Sequence, residues 1–210
     1  MVFYSKNRFV IVPPAEKCYE PVRSTPERLD ISIFLRDAVP PQGLSFLKFL
    51  DIVFPPFYDD YLRDDDPAYQ DWLQTINHLG DLANIPVLTL RVHMADIALH
   101  PEDAPEYRTN MTREDAQTIV NSYERAIKPL SKLRERGLNR FFADLTLPWV
   151  RTAESIRKRG DESTYIADRR EFQAWGERLV MGRDYDSTAL RIGAPDEPQW
   201  RVSAYEHYLL

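Results

Sequence analysis

Residues 44–54 have the sequence LSFLKFLDIVF, whose second half alternates between the two sides of an extended chain. Leu50 and Ile52 point to one side and their neighbours to the other, as the two-residue period of a β-strand requires. Similar apolar runs recur as IPVLTLRVH at residues 85–93 and LNRFFADLTLP at residues 138–148, each after a helical pattern. The sequence therefore predicts a strand–helix unit that is used several times.

A further strand is predicted at residues 9–12, which makes four strands with a repeat of about 40 residues and one insertion. The repeat length follows from aligning the four strands on one apolar residue each: Phe9, Leu50, Leu88 and Phe141. The predicted fold class is α/β, either a short leucine-rich-repeat-like solenoid or an open parallel sheet of about four strands, with helices on one face and a helical C-terminal part. We expect one repeat domain over residues 1–182 and a mostly irregular tail over residues 183–210.

Capping residues and prolines predict where the helices begin and end. Three pairs are typical of helix starts: Thr25-Pro26, Asp66-Pro67 and Thr112 with Asp115. The helix after Asp66 has an apolar stripe that includes Trp72, so we expect Trp72 in the core. Gly137 and Gly182 are predicted C-caps, and Pro129 should kink its helix. Further helices are predicted at residues 149–158 and 164–181.

The composition argues against several classes of function. The net charge of −6 and the pI near 5.3 disfavour a nucleic-acid binder or a polybasic membrane binder. The sequence has neither a signal-peptide pattern nor an apolar run long enough for a transmembrane helix. Since Cys18 is the single cysteine, an internal disulfide is excluded, and we expect an intracellular protein, cytoplasmic or nuclear.

Several motifs occur in a fixed order along the chain. They are VFYSKNRFVI at residues 2–11, FLRDAVPP, LSFLKFLDIVFPP, DWLQTINHLGDLANIPVLTLRV, RFFADLTLPW and LVMGRDYDS at residues 179–187. The ordered set resembles a large group of uncharacterised filamentous-fungal proteins that are F-box-like and leucine-rich-repeat-like. The resemblance implies an interaction module related to ubiquitin-ligase substrate receptors. The amino-terminal F-box-like segment of that group is missing from this sequence, and the resemblance implies no catalytic residue.

The sequence holds none of the common nucleotide-binding, hydrolase, zinc-protease or dithiol motifs, which favours a non-enzymatic protein without a cofactor or metal. The alternative is a small metal-assisted hydrolase or ligand-binding enzyme. It would use His93, Asp96 and His100 at a strand end, together with the acidic loop at residues 64–66. That loop has no glycine for the tight turn of a calcium site, so a solvated loop is the better interpretation.

The side of the predicted sheet that faces away from the helices carries the candidate partner-binding residues. These are Asp51, Thr89, Arg91, His93, Phe142 and Asp144. The predicted strand register puts Arg91 beside Asp144 on an open face. An exposed pair of opposite charges contributes little, so Asp144→Ala should barely change stability. We expect this face to recognise a protein partner. The alternative is a solvated face on which the pair only offsets its own charges.

Overall fold

A computed structural model describes residues 8–11, 27–94, 97, 99, 112–146 and 162–191 of the chain. These residues form an α/β fold around a four-stranded sheet, in which all neighbouring strands are parallel and follow the sequence order. The strands are β1 (Arg8–Ile11), β2 (Phe49–Phe54), β3 (Thr89–Met94) and β4 (Arg140–Leu145). The predicted open parallel sheet is thereby confirmed, whereas the leucine-rich-repeat-like solenoid stays a prediction.

The first helical segment differs from its prediction. The helix expected from Pro26 begins only at α1 (Asp30–Ile33), continues as a π-helical turn (Phe34–Ala38) and is followed by α2 (Pro41–Leu44). Pro26 itself lies outside the described residues. The wider π turn rotates the buried side, because side chains in it no longer follow a 3.6-residue period. Ile33, the last residue of α1, is 43% exposed, whereas Leu35 in the π turn is fully buried.

Helix α3 (Pro67–Leu82) begins where the sequence predicts. The side chain of Asp66 caps it by accepting a hydrogen bond from Ala68 N at 3.0 Å, and Pro67 occupies the first turn. A second bond, from Leu62 N to Asp66 Oδ2 at 3.1 Å, holds the preceding turn, in which Leu62 adopts a positive φ of 56°. Trp72 is 1% exposed and is therefore confirmed as a core residue.

The segment between β3 and β4 ends in a broken helix. Helix α4 (Arg113–Ile127) starts with the predicted capping box of Thr112 and Asp115, then tightens into a 3₁₀ turn (Lys128–Leu130) and resumes as α5 (Ser131–Glu135). The break coincides with Pro129, whose missing N–H cannot complete the preceding turn. Gly137 follows with a φ of 97°, the left-handed conformation that glycine adopts without strain.

Helix α6 (Glu162–Met181) confirms the predicted C-terminal helix and ends at Gly182, which has a φ of 94°. It lies close against β4, since a Cβ atom on Gly176 would be only 2.7 Å from Leu145 Cδ1. The last described element is α7 (Thr188–Arg191). The helix predicted at residues 149–158 lies outside the described residues, as does the end of the predicted tail.

The two faces of the sheet differ in chemistry. One face packs against the helices and is aliphatic and aromatic; its buried strand residues are Ile11, Leu50, Ile52, Phe54, Leu90, Val92, Met94, Phe141, Ala143 and Leu145. On the opposite face, Val53 and Phe142 are buried but lie outside this hydrophobic core. Within the part of the chain that the structure describes, no helix is long and apolar enough to cross a membrane.

The predicted register of β3 is wrong by two residues. Leu90, not Leu88, is paired with Leu50 and Phe141, so Arg91 lies between Asp51 and Phe142 rather than beside Asp144. Both leucines are fully buried, and an apolar pattern with a period of two cannot tell them apart. An even shift keeps every side chain on its predicted face, and the candidate residues therefore still share one side of the sheet.

Candidate functional site

All six candidate residues lie on the sheet face opposite the hydrophobic core, which we call the polar face. The strand residues that share this face by register and alternation are Arg8, Val10, Phe49, Asp51, Val53, Thr89, Arg91, His93, Arg140, Phe142 and Asp144. The candidate residues come from three neighbouring strands, so parallel pairing brings together side chains that are far apart in the sequence.

A buried histidine joins two carboxylates at the centre of the polar face. His93 Nδ1 is 3.0 Å from Asp144 Oδ2, and His93 Nε2 is 3.4 Å from Asp51 Oδ2. The exposed fractions are 3% for Asp51, 5% for His93 and 7% for Asp144. Buried charged groups are tolerated when they are paired in this way, and the three side chains hold each other in one geometry.

Further polar groups extend this row at both ends. The Arg8 guanidinium forms an ion pair with Asp51 and donates from Nε to Asp51 Oδ2 at 2.9 Å. On the other side, Gln173 Nε2 of α6 donates to Asp144 Oδ1 at 2.8 Å, and Arg169 lies 3.7 Å from the same oxygen. The row therefore ties β1, β2, β3, β4 and α6 together through side chains alone.

The surroundings of Asp51 favour its charged form. Burial by itself would raise the pKa of this carboxyl, but hydrogen bonds from His93 and Arg8, and the charges of those two groups, outweigh burial and lower the pKa. Asp51 is thus a carboxylate at neutral pH, and the cationic guanidinium beside it offsets the charge.

The geometry of this row limits what the His93 ring can do. Both ring nitrogens of His93 face carboxylate oxygens, and neither is left to bind a metal or take a proton from a substrate in this geometry. The two carboxylates approach opposite sides of the imidazole instead of converging on a shared point. Among the described residues, no group of three or more His, Cys, Asp or Glu side chains could hold a metal ion.

Accessibility divides the six candidate residues into two sets. Thr89 and Arg91 are half-buried, and the Arg91 guanidinium lies 5.4 Å from the centre of the Phe142 ring, in cation–π contact. Asp51, His93, Phe142 and Asp144 are each at least nine-tenths buried. The expectation of a solvated face is wrong for these four, and the small stability effect expected for Asp144→Ala no longer follows.

The alternative strand-end cluster receives no support from the described residues. His93 faces the two carboxylates, and Asp96 and His100 lie outside the described part of the chain. In the acidic loop, Asp66 accepts hydrogen bonds from Leu62 N and Ala68 N as a helix cap. The loop therefore has the structural role that its position before a helix suggests.

Sequence reasoning missed three members of the row: Arg8, Arg169 and Gln173. The position of Arg8 gives a signal, because it precedes Phe9 in β1 and must share a face with Asp51 once the strands are aligned. Arg169 and Gln173 give no such signal in the sequence, since their position depends on how α6 packs beside β4. Comparison with protein-family models, curated proteins and solved structures found no match in any of the three.

Proposed function

We propose that the chain is a non-enzymatic protein–protein interaction module, which presents its polar face to a protein partner. The observation that carries the proposal is that the two faces of the sheet differ in packing and chemistry. The aliphatic face packs on the helices, whereas the polar face holds the half-buried Thr89 and Arg91 above a fixed row of buried charges. Interfaces are enriched in arginine and aromatic groups, and rigid side chains lose little entropy on binding.

The buried row supports this function indirectly. Asp51, His93 and Asp144 offer little contact area, but their hydrogen bonds fix the strands on which the accessible side chains stand. The resemblance to F-box-like and leucine-rich-repeat-like proteins, which implies a relation to ubiquitin-ligase substrate receptors, supports such a role. The proposal includes an intracellular setting, cytoplasmic or nuclear, because a lone cysteine is typical of reducing compartments.

Affinity capture from cells with two charge-reversal variants tests the proposal. Arg91→Glu changes the polar face, and Lys132→Glu makes the same change in charge at an exposed position of α5. We expect Arg91→Glu to lose a partner that both the wild type and Lys132→Glu retain. Circular dichroism and urea denaturation must first show that both variants are folded. Unchanged capture by a folded Arg91→Glu protein would contradict the proposal.

A further inference from the structure

We infer that the polar face binds an acidic, extended segment of a partner protein across the N-terminal ends of its strands. This inference rests on the proposed function and adds the chemical class of the partner. It is carried by one cross-strand row, which we call the arginine row: Arg8, Phe49, Thr89 and Arg140.

The arginine row is the accessible end of the polar face. Arg140 is exposed, and the other three members are half-buried. Toward the C-terminal ends of the strands the same face closes, since Val53, His93 and Asp144 form a parallel row in which every residue is buried. A partner that approaches this face therefore meets the N-terminal row first.

Among the described strand residues of this face the accessible charge is positive, although the chain as a whole has a net charge of −6. Its acidic strand residues, Asp51 and Asp144, are 3% and 7% exposed and are already paired with cationic or amide groups. At the edges of the sheet Arg140 is exposed, and 22% of the Arg8 side chain is exposed beside the carboxylate of Asp51, to which it is paired. Electrostatic complementarity thus selects an anionic partner.

The spacing of the two outer arginines matches an extended peptide. Strands lie about 4.8 Å apart, so the three steps from β1 to β4 place the backbones of Arg8 and Arg140 about 14 Å apart. An extended chain rises about 3.4 Å per residue, and carboxylates four positions apart span about the same distance. A guanidinium has five N–H donors, and Arg140 can offer its fork to a carboxylate. Arg8 donates from Nε and Nη2 to Asp51, which leaves its Nη1 group for a second carboxylate, and Phe49 adds an apolar contact between the two arginines.

A nucleic acid would offer anionic groups too, but the rest of the molecule argues against it. Affinity for nucleic acids depends on an extended basic surface that contacts several phosphates. Here acidic residues outnumber basic ones, 33 to 27, and the pI is about 5.3. A short acidic segment needs only the local cations of the arginine row.

Fluorescence anisotropy with labelled peptides tests the inference directly. The probe is the peptide Glu-Ala-Leu-Ala-Glu with both ends blocked, and the control peptide has glutamine in place of both glutamates. We expect the acidic peptide to bind at least about tenfold more tightly than the control. Arg140→Glu should weaken its binding at least about tenfold, whereas Lys132→Glu should leave it within about twofold. Arg140 is exposed at the first position of β4, so both variants should fold.

Each other outcome overturns the inference. Equal binding of the two peptides, no binding at millimolar peptide, or no effect of Arg140→Glu would each exclude an acidic segment on this row. Tighter binding of a single-stranded oligonucleotide than of the acidic peptide would point to nucleic acid instead. If the acidic peptide does not bind but Arg91→Glu still abolishes capture of a cellular protein, the proposed interaction module is retained. The partner would then be recognised by a different chemistry. If that capture is also unchanged, both proposals fall.

Discussion

At the residue scale, His93 is the group on which the polar face depends. It is the shared neighbour of the Asp51 and Asp144 carboxylates, and all three side chains are buried. Without its ring, Asp51 and Asp144 lose their shared neighbour, and both buried carboxyl groups face a void. Removing one partner from a buried charged network costs about 3–5 kcal/mol in measured cases, far more than an exposed ion pair contributes.

We therefore expect His93→Ala to lower the free energy of unfolding by about 3 kcal/mol or more. His93→Gln is the matched control, because its amide still donates a hydrogen bond and should lose clearly less. Urea denaturation at neutral pH measures both variants. A loss below about 1 kcal/mol for His93→Ala would mean that the row adds little to stability.

Trp72 gives a second prediction at this scale. Its ring contacts Phe54 edge-to-face, with 5.3 Å between the ring centres, and its Nε1 donates to the Ala126 carbonyl at 2.8 Å. Trp72→Ala should cost about 3–5 kcal/mol in urea denaturation, since it leaves a large cavity and removes the hydrogen bond to the Ala126 carbonyl. Trp72→Phe keeps much of the volume and should cost less. A Trp72→Ala loss below about 1 kcal/mol would contradict the packing.

At the element scale, α6 and the turn after it cover the outer edge of β4. Phe141 N donates to the Tyr185 hydroxyl, which donates in turn to Phe141 O, both at 2.9 Å. Ala143 N donates to Glu177 Oε1 at 3.3 Å. Side chains thus satisfy backbone groups on the outer edge of β4, where an uncovered edge would pair with other strands.

Tyr185→Phe tests this edge, because it removes one hydroxyl and keeps the ring. We expect a loss of about 1 kcal/mol and faster hydrogen exchange at the Phe141 amide. The amide of Leu90 in the inner strand β3 serves as the internal control. Its exchange rate should change only as much as the free energy of global unfolding changes. Equal exchange rates at Phe141 in both proteins would show that the hydroxyl is not needed there.

The sequence predicted those elements whose signals are local. Asp66-Pro67 marks the start of α3, Gly137 ends the segment before β4, and alternation identifies β4. The register of β3 could not be predicted, because Leu88 and Leu90 satisfy the same period. Burial of Asp51 and Asp144 could not be predicted either. A charged side chain on a strand is buried or exposed according to which partners reach it, and His93, Arg8 and Gln173 come from other elements.

At the scale of the whole molecule, the parallel order of the strands explains why the two faces have different roles. Right-handed crossovers between strands in sequence order bring their helices to the same side of the sheet. That side forms the hydrophobic core and supplies most of the stability. The other side is left for charged residues, and the buried row across four strands connects their fixed geometry to the stability of the entire sheet.

This connection predicts how the molecule responds to acid. The pKa of Asp51 is lower in the folded protein than the usual value of about 3.9 expected for the unfolded chain. Its stabilising contribution is thus fully present above the unfolded pKa and is lost as the pH falls through the folded pKa. The wild type should exceed Asp51→Asn in free energy of unfolding at about pH 5, and the difference should shrink as the pH falls toward about pH 2. Urea denaturation across this range measures it, with the exposed Asp65→Asn as the control of equal charge change. A difference that stays constant down to pH 2 would show that the charge of Asp51 does not stabilise the fold.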